Sequence, residues 1–231
     1  MGAIAHKLRR ALEMTNHWLM GLKTVSAAVI LAGGMTGGAW ANEPAAAPAV
    51  GNPQNGATKA NTICVACHGP QGNSIVALWP KLAGQHPEYI QKQLMDFKAG
   101  RRQNAQMSPM AAPLTDQEVL DLAAYFSAQT QSGGTADRTL AAAGESIYRA
   151  GIPENGVPAC AGCHGPAGMG NGLAKFPRIS GQHADYVKQT LSWFRTGTRA
   201  NDPNGMMRGV AARMTDNEIA AVAQYIQGLK Q

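Results

Sequence analysis

Pro80-Lys-Leu-Ala-Gly-Gln-His86 and Pro177-Arg-Ile-Ser-Gly-Gln-His183 are two copies of one pattern set 97 residues apart, and this duplication decides the architecture. Working outward, Thr115-Asp-Gln-Glu118 leading to Tyr125 is matched by Thr215-Asp-Asn-Glu218 leading to Tyr225, an offset of 100, while Cys64 and Cys160 are 96 apart. An offset that grows slowly along the chain is that of a tandem duplication with small loop insertions. Two homologous domains are therefore expected, the first over 57–130 and the second over 137–231. The polar run Gln131-Ser-Gly-Gly-Thr135 opens a linker over 131–136, and residues 42–56, rich in Ala, Pro, Gly and Asn, form a flexible lead-in.

Each copy reads as helical with long loops. Tyr89, Ile90, Leu94 and Phe97 recur at three-to-four spacing before Gly100, and Tyr186, Val187, Leu191 and Phe194 do so before Gly197. Thr115 with Glu118, and Thr215 with Glu218, have the spacing of capping boxes. Val119, Leu122, Ala123 and Phe126 would form the buried stripe of the helix that follows. With no alternating run to suggest a strand, the fold class is all-α.

The formal charge of +6 is partly a property of the N-terminus. Lys7, Arg9, Arg10 and Lys23 against Glu13 place +3 of it in residues 1–41, leaving 16 Lys and Arg against 13 Asp and Glu in the remainder. So small an excess, with no basic stripe interleaved with aromatics, argues against nucleic acid as a partner. The basic stretch to Lys23, the apolar run Val25 to Trp40 and the small-x-small Ala39-Trp40-Ala41 read as a signal peptide over 1–41. Sixteen apolar-run residues with four glycines fall short of a membrane span, which needs about 20. The expected location is periplasmic.

All four cysteines lie in two copies of one motif, Cys64-Val-Ala-Cys67-His68 and Cys160-Ala-Gly-Cys163-His164. In an exported chain this is the haem c attachment signature. Two thiols three residues apart reach both vinyl groups of a porphyrin from one helical turn, and the adjacent histidine is held under the iron. Disulfides, a four-thiolate zinc site or a thioredoxin-like couple would each leave the paired histidines unexplained. A few aromatics per domain make a thin core, and a large buried prosthetic group supplies the missing apolar volume.

A thioether opposite the histidine suits an electron-carrying iron. Met107 and Met110 are available in the first copy, Met206 and Met207 in the second. Register favours Met107 and Met207, each seven residues before the matching Leu114-Thr115-Asp116 or Met214-Thr215-Asp216. His86 and His183, also register-matched, are expected at a structural or interface position, and a carbonyl near Pro80 or Pro177 to orient the ligating imidazole. Arg102 and Arg199 are read either as partners of haem propionates or as solvated surface arginines.

These residues together resemble the cytochrome c4 family. The resemblance rests on both Cys-x-x-Cys-His motifs, the Gly-Gln loops at 79–85 and 176–182, the Met-bearing loops and the Tyr-Ile-Gln-Gly-Leu ending at 225–229. It implies two tandem class I cytochrome c-like domains in a pseudo-twofold arrangement, with two covalently bound haem c. In that pattern Cys64 and Cys67 are the first links with His68 and Met107 axial, and Cys160, Cys163, His164 and Met207 repeat the set. It further implies single-electron carriage with no catalytic residue, among redox protein partners such as membrane-bound cytochrome complexes and a terminal oxidase. The reading is of a monomer, with room left for peripheral membrane association. The rival from another class is a di-haem peroxidase with one displaceable axial ligand, for which the Met loops offer only Gln, Asn and Arg as distal groups.

Overall fold

The computed structural model describes residues 50–230; the expected signal segment, residues 1–41, lies outside them. In the first half, α1 (Pro53–Lys59) runs through a π-turn (Ala60–Cys64) into α2 (Val65–His68). Three more helices follow, α3 (Pro87–Lys98), α4 (Met107–Ala111) and α5 (Asp116–Ser127). The second half repeats the plan with α6 (Arg138–Ala150), α7 (Ala161–His164), α8 (Ala184–Thr196), α9 (Met206–Ala211) and α10 (Asp216–Gly228). Among the described residues the only β pairings are the isolated bridges Ile152–Val157 and Asn171–Phe176, so the chain is all-α.

Both capping boxes form. The Glu118 amide donates to Thr115 Oγ1 at 3.1 Å while the Thr115 amide donates to Glu118 Oε2 at 2.8 Å, and Thr215 with Glu218 repeats this at 3.4 and 2.7 Å. Fixed at that end, α5 packs Val119, Leu122, Ala123 and Phe126 into the first core, and α10 packs Ile219, Val222, Ala223 and Ile226 into the second. The helix stops at Gly100 and Gly197 have φ of 69° and 78°, a left-handed conformation that glycine adopts without steric cost.

The sequence reading passed over α1 and α6, which lie against α5 and α10 respectively. Residues 53–56, expected in the flexible lead-in, are the first turn of α1. Asn52 Oδ1 accepts from the Gln54 and Asn55 amides at 2.9 and 3.3 Å, and Pro53 opens the helix where no amide is needed. A glycine sits at each crossing. A Cβ on Gly56 would lie 2.1 Å from the Asp121 carbonyl oxygen, and one on Gly144 would lie 2.1 Å from that of Ala221.

From those crossings the halves diverge. Gly56 precedes Cys64 by 8 residues, whereas Gly144 precedes Cys160 by 16. The extra chain leaves α6 at Gly151 and folds back through a tight turn closed by the Ile152–Val157 bridge. Residues 130–137 join the halves without regular structure.

The halves meet through a reciprocal exchange. Gln85 donates through Nε2 to the Arg178 carbonyl at 2.9 Å and accepts from the Arg178 amide at 2.9 Å. Gln182 does the same to Lys81, at 2.9 and 3.0 Å. Each side-chain amide thus replaces the backbone partner a strand would have supplied, and all four residues are buried. Lys81 Nζ donates to the Ser132, Gly133 and Gly181 carbonyls at 2.7, 3.0 and 3.1 Å, pinning the linker; burial pushes its pKa below the ordinary lysine value.

Candidate haem sites

The chemistry-bearing residues of both halves line one continuous cavity of about 580 Å³ with a largely apolar wall. It takes in Cys64, Cys67, His68, Met107 and Met110 from the first half and Cys160, Cys163, His164, Met206 and Met207 from the second.

The two histidines are posed alike. His68 Nδ1 donates to the Pro80 carbonyl at 2.8 Å, and His164 Nδ1 donates to the Pro177 carbonyl at 3.0 Å. A proline carbonyl before an exchange residue is well suited, since its position is fixed by the interface loop on its C-terminal side. This choice of tautomer leaves Nε2 as the basic nitrogen for a metal. Burial holds both imidazoles below the ordinary histidine value, with the carbonyl bond opposing it, so each ring is neutral and ligand-ready.

The four cysteines are unpaired, with Cys67 and Cys163 exposed and Cys64 and Cys160 half-buried. Burial raises the Cys64 thiol and pushes Cys160 up to about 11. Thiols outside any disulfide, on an apolar cavity, beside a histidine with one nitrogen spoken for, fit covalent haem c, whose iron cycles a single electron between Fe(III) and Fe(II).

Met107 and Met207 are half-buried on the cavity wall, while Met110 and Met206 are exposed by 51% and 40%. Asn104 Oδ1 accepts from the Met107 amide at 2.8 Å and fixes the start of α4. The Met207 loop contains a carboxylate that the sequence reading left out. Asp202 is buried and accepts from the Arg208 amide at 3.0 Å and from Arg208 Nε at 2.8 Å, which lowers its pKa despite burial.

His86 and His183 are interface residues. His86 Nε2 bonds the Met169 carbonyl at 2.6 Å and His183 Nε2 bonds that of Ser74 at 2.8 Å, each across the junction. Arg102 and Arg199 are not solvated: they are 9% and 5% exposed and stack over Phe97 and Phe194, each at 4.6 Å. Their guanidiniums cross the junction, Arg102 to Tyr186 Oη at 3.2 Å and Arg199 to Tyr89 Oη at 2.9 Å. Tyr186 is raised by burial but lowered more by the two arginines, and ends below the ordinary phenol value, at about 8.

The cytochrome c family model matches residues 53–129 and again 141–230, one match per half. A cytochrome c4 from Thiocapsa roseopersicina is 71% identical over 188 residues, covering 81% of this chain and 97% of that protein. The chain belongs to the cytochrome c4 family. The crystal structure of reduced recombinant cytochrome c4 from Pseudomonas stutzeri superposes with a TM-score of 0.76 at 46% identity, over 78% of this chain and all of that one. A thiosulfate dehydrogenase electron acceptor from Stutzerimonas stutzeri is 42% identical over 182 residues, covering 77% of this chain and 84% of that protein. As a cytochrome c4, the chain is a di-haem c-type electron carrier with two covalently bound haem c and redox protein partners. Among the described residues no helix is long and apolar enough to cross a membrane.

Proposed function

We propose that this chain is a periplasmic cytochrome c4 that passes single electrons between respiratory partners and on to a membrane-bound terminal oxidase, with no substrate chemistry of its own. Cys64 and Cys67 hold the first haem with His68 and Met107 axial; Cys160, Cys163, His164 and Met207 hold the second. The observation that carries this reading is the matched pose of His68 and His164, each bonded through Nδ1 to a proline carbonyl on a shared cavity. A half-buried thioether stands in register in each half, and sulfur ligation on the far side raises the reduction potential. We place the domains at 57–130 and 137–231, joined by 131–136 and with the helix α1 extending the first toward its N-terminus, a division supported by a separate hydrophobic core in each half.

The carrier reading is preferred to a peroxidase because no histidine or unpaired carboxylate stands among the described cavity-lining residues other than the two ligating imidazoles. Asp202 is held by Arg208, and the other polar side chains that the two methionine loops bring to the wall are the amides of Asn104, Gln106 and Asn201 and the guanidiniums of Arg102 and Arg199, none of them a proton acceptor. A second reading of the donor is supported by the relative named as a thiosulfate dehydrogenase electron acceptor: a sulfur-compound dehydrogenase would load this chain. Optical spectroscopy with a peroxide assay tests the assignment. A far-red methionine-to-iron band from both haems and no peroxide turnover are expected; a high-spin signal with turnover overturns it. Stopped-flow mixing with a purified dehydrogenase and with oxidase-containing membranes identifies donor and acceptor.

A further inference from the structure

The two methionine loops are held in different ways. Asn104 and Asn201 stand in register, 97 residues apart, but Met107 follows the first by three residues and Met207 follows the second by six. In the short loop Asn104 Oδ1 accepts from the Met107 amide at 2.8 Å and from the Gln106 amide at 3.0 Å, so the loop closes on itself. In the long loop Asp202 takes over that capping task at the Arg208 amide, and Asn201 is released from it. Asn201 turns to the other half. Its Nδ2 donates to Asp96 Oδ2 at 2.7 Å and to Gln93 Oε1 at 3.0 Å, and its carbonyl accepts from Lys92 Nζ at 2.6 Å, while its Oδ1 accepts from Arg199 Nε of its own half at 3.0 Å.

The grip runs one way. Lys92, Gln93 and Asp96 share one face of α3, and their register-mates on α8 are Gln189, Thr190 and Trp193. The indole that stands at the aspartate's place can accept no hydrogen bond, and among the described residues none of the three bonds the stretch from Asn104 to Met107. Asp96 is buried, and its charge is kept there by Lys92 and Arg101 of its own half, which leaves an ionised acceptor aimed across the junction. The loop that it reaches gains from outside support. Between Asn201 and Met207 the backbone passes through two consecutive left-handed residues, Asn204 at φ 53° and Gly205 at φ 67°, and the first of these carries a side chain.

We propose that Asp96, with Lys92, is a positioning residue for the iron ligand of the opposite half: by fixing Asn201 it holds the loop that presents Met207, whereas the Met107 loop is held from within. This rests on the axial-ligand reading above. A competing nitrogen base such as imidazole enters only when the thioether leaves, so its apparent affinity for each Fe(III) reads how firmly that loop is held.

The test uses the full chain matured with both haems, in two backgrounds that each leave one sulfur-ligated iron, and follows the far-red band during imidazole titration. In Met107→Ala that iron is the second, and adding Asp96→Ala is expected to raise its imidazole affinity about tenfold. In Met207→Ala it is the first, and adding Asp96→Ala should leave its affinity within about twofold. Asp96→Asn removes the same charge but keeps an acceptor, and it should restore most of the firmness. Lys92→Met removes the bond to the Asn201 carbonyl and leaves Asp96 paired with Arg101; it should loosen the second site about threefold and decides the matter if Asp96→Ala loses haem. Equal loosening in both backgrounds, no loosening in either, or an Asp96→Asn variant as loose as Asp96→Ala overturns the one-way grip alone. A far-red band that survives undiminished in either methionine background overturns the axial-ligand reading itself.

Discussion

The first half reaches its histidine along an unbroken run from Pro53 to His68, with a π-turn taking up the register just before Cys64. The second half breaks the same approach at Gly151 and inserts eight further residues, the difference between the 16 and 8 that separate crossing glycine from cysteine. The ends of the two routes are nonetheless alike: a glycine where an added Cβ would come 2.1 Å from a carbonyl oxygen at one end and an imidazole on a proline carbonyl at the other. The constraint therefore lies at the helix crossing and at the site, and the chain between is free to vary as surface loops are. Tyr148 takes advantage of the longer route. It is fully buried and donates its hydroxyl to the Gly165 carbonyl at 2.6 Å, bracing the residue after His164, whereas Ala60 stands at the matching distance from the first crossing.

The sharpest way to break this equivalence is to remove one histidine at a time. His68→Ala and His164→Ala should each leave one haem per chain in place of two, read by intact mass; a variant that keeps both would show that the halves do not rely on the same anchor. Next come the sulfur ligands. Met107→Ala or Met207→Ala should lower one potential by more than about tenfold in the Fe(II)/Fe(III) equilibrium and admit carbon monoxide at that iron alone. Met110→Ala and Met206→Ala should do neither, and if they do, the register pairing fails.

The crossings come third. Gly56→Ala and Gly144→Ala should each cost about 1–3 kcal/mol in guanidinium denaturation, because helix backbones must part to admit the methyl group. Unequal losses would locate the more yielding half. The smallest effect separates the junction histidines. Burial lowers the pKa of His183, with the Ser74 carbonyl opposing it, so its contribution to stability is complete above the unfolded value of about 6.5 and is lost as pH falls through and below it. Denaturation midpoints measured across that range should fall less steeply in His183→Gln than in the parent.

Much of this was legible in the sequence because it is local or repeated. Thr115 and Glu118 declare a helix start within four residues, and the attachment motifs pack thiols and imidazole into five. Met107 and Met207 are preferred to their neighbours as the proposed ligands only because a second copy supplies the register. His86 and His183 were expected at a structural or interface position, and the structure puts both at the junction. What stayed hidden was long-range. The Gln of each Gly-Gln-His triplet was visible as a repeat, but its partners lie 93 and 101 residues away. Arg102 could be a surface group or a haem partner from its own surroundings; its burial depends on Tyr186, 84 residues on. The helix α1 escaped notice because Pro53–Lys59 is a short polar and small-residue run with no apolar stripe, whereas α6 does carry one, through Gly144, Ile147 and Tyr148, and was simply passed over.

The reciprocal grip of Gln85 on Arg178 and Gln182 on Lys81 is self-complementary, the kind of contact that two identical subunits make in a homodimer. Here both copies are on one polypeptide, so dilution cannot dissociate them. A substitution on one side is no longer forced to appear on the other, which is how one side came to hold a lysine that clasps the linker while its counterpart holds an arginine.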